Sequence, residues 1–250
     1  MKPSHRRTAK LFMRRTAATC AGAKARPHVA RPHSGTRKVS DDEGKNRSAY
    51  RLIKALVTSG ELRAGARLDP EKLREIADAS LTTTYNALRG LLIERLIEGS
   101  PASGFHMPAL TEAGIRGRYA WTCDIAIQSV RCAAPAIDDG RTHPSPVDGD
   151  QASDPIQTAE RLFAGIAALP EIFEYQLAMA QANDRLRPLR RYEGVLLNGV
   201  ETELSMLERL FRLRDADGLA TALARYRDRR LPLAGELLRR LGGEPASRFA

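Results

Sequence analysis

Residues 68–99, LDPEKLREIADASLTTTYNALRGLLIERLIEG, predict two short helices joined by a tight turn. Asp69 followed by Pro70 is typical of an N-cap and a first helical residue, and the letters DAS then interrupt that helix. A second helix is predicted from Thr82 onward, with Leu88 on its inward face, because apolar residues recur there at helical spacing. The sequence therefore predicts a helix-turn-helix whose second helix opens with threonines.

The residues on either side complete a small domain. Upstream, SAYRLIKALVTSG predicts a helix that begins near Ser48 and ends at Gly60, and ELRAGARL predicts a turn. Downstream, RLIEG and GFHMP predict two short strands on either side of SPAS, the tip of a hairpin. Three helices followed by a hairpin indicate a winged helix-turn-helix DNA-binding domain over residues 44–110.

Ser80, Thr82, Thr83 and Thr84 crowd hydroxyl groups at the start of the second helix. In a helix-turn-helix, this helix enters the major groove of DNA with its N-terminus first. Its first turn offers free backbone N–H groups that suit a phosphate, and short hydroxyls can reach phosphates or base edges. We therefore predict that these four residues contact double-stranded DNA. The alternative is that the cluster only caps the helix.

Residues 48–110 resemble the DNA-binding domain of the GntR family of bacterial transcription regulators. The matching phrases are LIKALVTSGELRAGARL, LREIADASLTTTYNALRGL and ERLIEGSPASGFHMPAL, in that order. The resemblance implies a transcription regulator with a winged helix-turn-helix followed by an effector and dimerisation domain, and hence a homodimer. We add Lys72, Tyr85, Gly104 and His106 to the predicted DNA-contacting residues.

The sequence departs from the family at positions that commonly carry a DNA-contacting arginine. These positions correspond to Glu71, Leu81 and Tyr85, none of which is basic. Arg89, one turn after Tyr85, is the nearest basic residue on that helix, so we predict that it contacts DNA; a solvated surface role is the alternative. Arg95 replaces a family glycine and is strained if its backbone is left-handed. The departures imply an operator unlike those common in the family.

The net charge of +10 is concentrated at the N-terminus. Residues 1–40 hold 11 Lys/Arg and no Asp or Glu, whereas the other 210 residues hold 29 Lys/Arg and 30 Asp/Glu. The high pI therefore cannot by itself identify the folded part as a nucleic-acid binder. Residues 1–43 are predicted to form a disordered basic tail, which either adds non-specific attraction to phosphates or is dispensable.

Residues 111–250 predict a helical effector and dimerisation domain. LTEAGIRGRYAWTCDIAIQSVRCA predicts one helix, residues 134–155 predict a loop or disordered insert, and further helices are predicted from Ile156 to near Leu241. About five or six helices are expected in this bundle. The predicted fold class is mainly α, with an N-terminal winged helix-turn-helix followed by an all-helical bundle.

The phrase LERLFRLRDADGLATALARYRDRRL resembles the end of the effector domain in the FadR-like branch of the GntR family, which often binds a divalent metal through one Asp and three His. Aligned on Asp215, two histidine positions fall on Leu204 and Tyr226, and the family's ligand-binding arginine falls on Thr122. The histidines lie at positions 5, 28, 33, 106 and 143, outside the bundle helices. We predict no metal and no cofactor. The resemblance implies a small organic effector without naming it.

Other classes of function find little support. No phosphate-binding glycine loop, HExxH, nucleophile elbow or paired-cysteine motif is present, so we predict no enzyme activity. No apolar run is long enough to cross a membrane, and the three cysteines favour a reducing, cytoplasmic location. Three interpretations remain: a ligand-tuned regulator, a DNA-binding protein that has lost ligand sensing, and a helical protein-interaction module with a vestigial winged helix.

Overall fold

The structure is a computed structural model that describes residues 36–138 and 154–242. An N-terminal part with three helices and a small sheet precedes a bundle of helices, which confirms the predicted fold class. The elements of the N-terminal part are α1 Thr36–Thr58, β1 Arg67–Leu68, α2 Pro70–Ile76, α3 Leu81–Ile93, β2 Glu98–Ser100 and β3 Gly104–His106.

Helix α1 begins earlier than the sequence predicted. It starts at Thr36 rather than near Ser48, so it includes the end of the segment predicted as a disordered tail, while residues 1–35 lie outside the described residues. Residues 44–48 are exposed, and Ala49 is buried. Residues 44–48 therefore extend α1 without adding to the core.

The sheet has the order β1-β3-β2, and both pairs are antiparallel. Strand β1, at a position predicted only as a turn, pairs Arg67 with His106. The antiparallel pairing of β2 with β3 confirms the predicted hairpin, in which Gly99 and Gly104 have positive φ angles of 114° and 83°. A Cβ on Gly99 would lie 2.0 Å from the Gly104 carbonyl oxygen, so only glycine fits there. The hairpin is the wing of the domain.

A compact apolar core joins α1 and α3 to the wing. Ile53, Leu88, Leu91 and Phe105 are almost completely buried in one cluster. Leu88 and Leu91 follow the i, i+3 spacing of the inward face of α3, as the sequence predicted. This packing fixes the orientation of α3 and leaves its opposite face exposed to solvent.

The C-terminal part contains seven helices among the described residues, against the five or six predicted. Helix α4 is central and contacts α5, α6, α9 and α10. These helices are α4 Glu112–Asp138, α5 Pro155–Ala168, α6 Phe173–Arg190, α7 Glu193–Leu196, α8 Val200–Leu213, α9 Ala216–Arg230 and α10 Ala234–Gly242. A 3-10 turn, Leu231–Leu233, joins the last two. None of the helices within residues 36–138 and 154–242 combines the length and the apolar character that crossing a bilayer requires.

The boundaries of the predicted insert are narrower than residues 134–155. Helix α4 continues to Asp138, and α5 begins at Pro155, where the Asp154 carboxylate accepts a hydrogen bond from the Ile156 N–H at 3.1 Å. The N-cap followed by proline explains where α5 starts. The rest of the predicted insert lies outside the described residues.

A polar junction fixes the end of α3 to the bundle. The Lys54 ammonium lies 2.8 Å from the Glu94 carboxylate, just after α3, and 2.7 Å from the Asp184 carboxylate on α6. Arg185 of α6 also donates to the Glu94 carbonyl oxygen at 3.3 Å. Burial opposes the charge of Lys54, but its hydrogen bonds to both carboxylates outweigh this effect and raise its pKa. The orientation of α3 is therefore coupled to α6.

Candidate nucleic-acid interface

The first turn of α3 is built around Ser80. Its hydroxyl oxygen accepts a hydrogen bond from the Thr83 N–H at 3.1 Å, which makes Ser80 the N-cap, and it donates to the Thr83 hydroxyl at 2.9 Å. Ser80 remains exposed, and Thr83 is half-buried. The capping interpretation is therefore right for Ser80, but exposure leaves both hydroxyls accessible to a partner molecule.

Thr84 is not part of this surface, so its prediction as a DNA contact is wrong. Its side chain is fully buried, and its hydroxyl donates to the Ser80 carbonyl oxygen at 3.1 Å. The residue lies on the same face as the buried Ala87 and Leu88, three and four positions later. Thr84 therefore stabilises the start of the helix from within the core.

The solvent-facing side of α3 carries Thr82, Asn86 and Arg89, which are all exposed. Their spacing of four and three positions places them on one face of the helix. The Arg89 guanidinium lies 3.4 Å from the Asn86 side-chain oxygen, a long contact that leaves most of its donors directed to solvent. Thr82 and Arg89 thus occupy the positions that a major-groove helix would present to DNA.

Tyr85 joins α3 to the wing. Its ring centroid lies 6.0 Å from that of Phe105 on β3, with the planes inclined at 53°, and the residue is half-buried. Aromatic pairs of this geometry add to the stability that burial provides. Tyr85 therefore has a packing role that the sequence did not reveal, alongside its position at the edge of the interface.

A groove of about 640 Å³ lies between the start of α2, the tip of the wing and Tyr85, and we call it the wing groove. It brings together three residues predicted from the sequence, Lys72, Tyr85 and Gly104. Arg63 and Arg67 also line it, and the sequence prediction missed both. They belong to the phrase ELRAGARL, which predicted only a turn. Arg67 lies on β1, the strand that pairs with the wing, and Arg63 lies in the loop before it. Recognising this short strand would have placed both arginines beside the wing.

The wing itself is short and stiffened by its turn. The Ser103 N–H donates to the Ser100 hydroxyl at 3.1 Å, and the two hydroxyls lie 2.8 Å apart. His106 is half-buried on β3 between Arg67 and Glu98 in the sheet register. His106 therefore lies next to the groove-lining Arg67, although it does not line the wing groove itself.

Two departures from the GntR pattern can now be placed. Glu71 is exposed on α2 and pairs with Arg74 at 2.6 Å, so this surface is not simply basic. Arg95 has a φ of 55°, which confirms that it keeps the left-handed conformation of the glycine that it replaces. Its side chain is exposed, so the backbone there is strained without any compensating burial.

The charge of this part of the molecule is moderately positive. Residues 44–110 contain ten Lys/Arg and seven Asp/Glu, whereas residues 111–250 contain 19 Lys/Arg and 20 Asp/Glu. Outside the N-terminal tail, the excess of cations is thus located in the domain that carries α3 and the wing. A modest excess suits contact with a polyanion without requiring the tail.

The bundle positions that the FadR-like resemblance identified do not form a metal site. The Asp215 carboxylate caps α9 by accepting from the Gly218 N–H at 2.9 Å, and Leu204 is a buried core residue. Thr122 is buried, and its hydroxyl donates to the Arg118 carbonyl oxygen at 2.8 Å. Within the two described stretches, no three His, Cys, Asp or Glu side chains are grouped to hold a metal ion.

The bundle instead buries an ion pair. The Arg230 guanidinium is inaccessible to solvent and lies 2.7 Å from the Glu193 carboxylate, which also accepts from the Tyr119 hydroxyl at 2.9 Å. Burial alone would lower the pKa of Arg230, but its interactions with Tyr226 and Glu193 outweigh burial and raise it. The pKa of Tyr119 is raised well above its usual value, first by burial and then by Glu193. These groups therefore keep Arg230 charged and Tyr119 neutral.

The sequence matches no protein-family model, and a search of curated proteins found no match. Solved structures do match. McbR/YncC of Escherichia coli has a TM-score of 0.56 at 16% identity, over 77% of this chain and 97% of that one. A transcriptional regulator GntR from Rhodococcus sp. RHA1 has a TM-score of 0.57 at 16% identity, over 78% of this chain and 98% of that one. The chain therefore has the fold of these proteins, and the resemblance found in its sequence is confirmed at the level of the fold.

Proposed function

We propose that this chain is a GntR-type transcription regulator that binds specific sites on double-stranded DNA as a homodimer and responds to a small organic ligand. One observation carries the proposal: the exposed face of α3, with Thr82 and Arg89, lies on a winged helix-turn-helix whose wing borders a groove lined by cations. A helix of this kind reads base edges in the major groove, while cations beside it hold the phosphates.

Selection of duplexes from a random library by the unaltered chain tests DNA binding directly. We expect enrichment of one motif, with two half-sites about one helical turn apart if the protein binds as a dimer. Arg89→Ala should weaken binding to that motif more than binding to random DNA, because a lost base contact costs about 1–3 kcal/mol of discrimination. Failure to enrich any motif would contradict the proposal.

The basic tail should contribute affinity rather than specificity. A chain without residues 1–35 keeps all of α1 and should select the same motif. Its affinity should depend less steeply on salt, because fewer phosphates are neutralised. If the shortened chain loses its motif, the tail and not α3 carries the specificity.

Dimerisation and ligand response need separate measurements. Analytical ultracentrifugation at micromolar concentration should show a dimer, and a persistent monomer that binds only a half-site would contradict this part of the proposal. An effector present at 100 times its Kd should stabilise the protein by about 2.7 kcal/mol, which a thermal-shift screen of small organic molecules detects. Because Thr122, Leu204 and Tyr226 replace the family's ligand and metal positions, we expect the response without added metal.

The second candidate is a DNA-binding protein that has lost ligand sensing. Thr122 favours it, since this residue occupies the position of the family's ligand-binding arginine and is buried, with its hydroxyl bonded to the Arg118 carbonyl oxygen. Under this alternative the selected motif is unchanged, but no small molecule alters the thermal stability or the DNA affinity. A protein-interaction module with a vestigial winged helix would instead bind no duplex at all.

A further inference from the structure

The wing groove contains more cations than anions, and the anions already have partners. Arg63, Arg67 and Lys72 line it together with two carboxylates, Glu61 and Asp69. The Asp69 carboxylate accepts from the Glu71 N–H at 3.0 Å as the N-cap of α2. The Glu61 carboxylate lies 3.6 Å from the Arg191 guanidinium of the bundle.

The three cations that line the wing groove differ from one another in exposure and position. Arg67 is exposed on β1, and its guanidinium lies over the wing, since a Cβ on Gly104 would be 3.6 Å from the Arg67 Nε. Lys72 is exposed at the start of α2. Arg63 lines the groove and is half-buried; its Nε is enclosed without a hydrogen-bond partner in the described chain, so contact with a phosphate falls to the terminal nitrogens of its guanidinium.

We propose that the wing groove binds the phosphodiester backbone of DNA, and that Arg67 and Arg63 supply phosphate contacts. The inference rests on the proposed function, because it assigns one DNA strand to a groove beside α3. Arginine suits this role because its planar guanidinium forms two parallel hydrogen bonds with phosphate oxygens.

The groove also explains how the chain manages without arginines on α3. Leu81 and Tyr85 occupy positions that commonly carry arginine in the family, and Tyr85 instead packs on Phe105. The packing of Tyr85 on the wing places α3 beside the groove, so cations on β1 and the preceding loop lie where a phosphate strand passes. Positioning of the DNA thus shifts from α3 to the groove, and α3 is left to read bases with Thr82 and Arg89.

The test measures DNA affinity as a function of salt, using the selected motif and a random duplex of equal length. Arg67→Ala should weaken binding to both duplexes by the same factor, and it should reduce the slope of log K against log salt by about 0.9. Arg67→Lys keeps the charge and should restore the slope. Arg63→Ala should act like Arg67→Ala, and the double variant should lower the slope by about twice as much.

The matched control is Arg225→Ala, which removes one exposed arginine from α9 of the bundle. It changes the net charge equally, so an unchanged slope in this variant excludes a general charge effect. If Arg67→Ala leaves the slope unchanged while the unaltered chain binds DNA, the groove is not a phosphate site and only this inference fails. If Arg67→Ala weakens only the selected motif, Arg67 reads bases and the phosphate assignment is also wrong. Absence of any duplex binding by the unaltered chain would overturn the proposed function together with the inference.

Discussion

The two parts of the molecule use charge in opposite ways. In the winged helix-turn-helix, Arg67, Lys72 and Arg89 are exposed, and the core beneath them is apolar. In the bundle, Arg230 is inaccessible to solvent and is paired with two carboxylates, those of Glu193 and Glu203. The first arrangement leaves cations available to a partner, whereas in the second the cation is neutralised within the fold. Charged residues therefore indicate an interface only where they remain exposed.

Glu193→Gln should have the largest effect on stability. The substitution removes the closest carboxylate of the buried Arg230 guanidinium and leaves it paired with Glu203 alone, at 2.9 Å. Breaking a buried ion pair costs about 3–5 kcal/mol, and we expect a loss toward the lower end because Glu203 still compensates the charge. Urea unfolding followed by circular dichroism measures the loss. The matched control is Glu236→Gln on α10, where the pairs with Arg239 and Arg240 lie at the surface, so solvent screens them and the loss should be much smaller. Equal losses in the two variants would show that the buried pair is no more important than a surface pair.

The burial and pairing of Arg230 could not be predicted from the sequence. The apolar spacing predicted helices from Ile156 to near Leu241, but spacing alone does not tell whether an arginine at the edge of an apolar stripe is buried. Arg230 is covered because α9 packs against α4, a contact between residues far apart in the sequence. The closer of its two carboxylate partners comes from α7, a four-residue helix that no pattern predicted.

The winged helix-turn-helix was more predictable, since its signals are local. Asp69 with Pro70 fixed the start of α2, and glycines marked the wing. Thr84 was misassigned although the needed signal was present: it precedes Ala87 by three positions and Leu88 by four, so it shares their buried face. The strand β1 was missed because two residues are too few to show an alternating pattern.

The two cysteines of α4 should differ in their reactivity, because one is buried and the other is exposed. Cys123 is completely buried, and burial raises the pKa of its thiol to about 12, whereas Cys132 is exposed. In a Cys20→Ser chain, a thiol-specific reagent at pH 8 should modify Cys132 at least roughly a hundredfold faster than Cys123, because the thiolate is the reactive form. Mass spectrometry of the modified peptides gives both rates. Comparable rates would mean that the bundle opens readily around α4.

Lys54→Met should have a smaller effect, since Lys54 lies at the junction of the two parts and is only partly buried. The variant keeps the apolar stem but leaves the Glu94 and Asp184 carboxylates without their shared cation. We expect a loss of about 1 kcal/mol at pH 7, measured by urea unfolding. The raised pKa of Lys54 means that its contribution is fully present below its unfolded-state pKa and is lost as the pH rises through the folded-state value.

A matched control for this junction is Arg191→Met. Its guanidinium lies 3.6 Å from Glu61, and both side chains are about half exposed, so the change should stay within about 0.5 kcal/mol. A loss at Lys54 that persists unchanged at pH 12 would contradict an electrostatic origin, because at that pH the lysine of the unfolded chain has lost its proton and the contribution of the raised pKa must already have fallen.

The smallest effect on stability, and the sharpest test of the interface, is expected for Thr82→Ala on the first turn of α3. Ser80→Ala removes the cap and should cost about 1 kcal/mol of stability, whereas Thr82→Ala removes an exposed hydroxyl and should change stability by less than about 0.5 kcal/mol. If α3 enters the major groove, Thr82→Ala should nevertheless reduce the ratio of specific to random DNA binding, because a lost base contact costs about 1–3 kcal/mol. Thermal unfolding reports the cap, and competition between the two duplexes reports the contact. Should Thr82→Ala keep both its melting temperature and its full binding ratio, the hydroxyl is an ordinary surface group, and specificity must come from Arg89 and the residues around it.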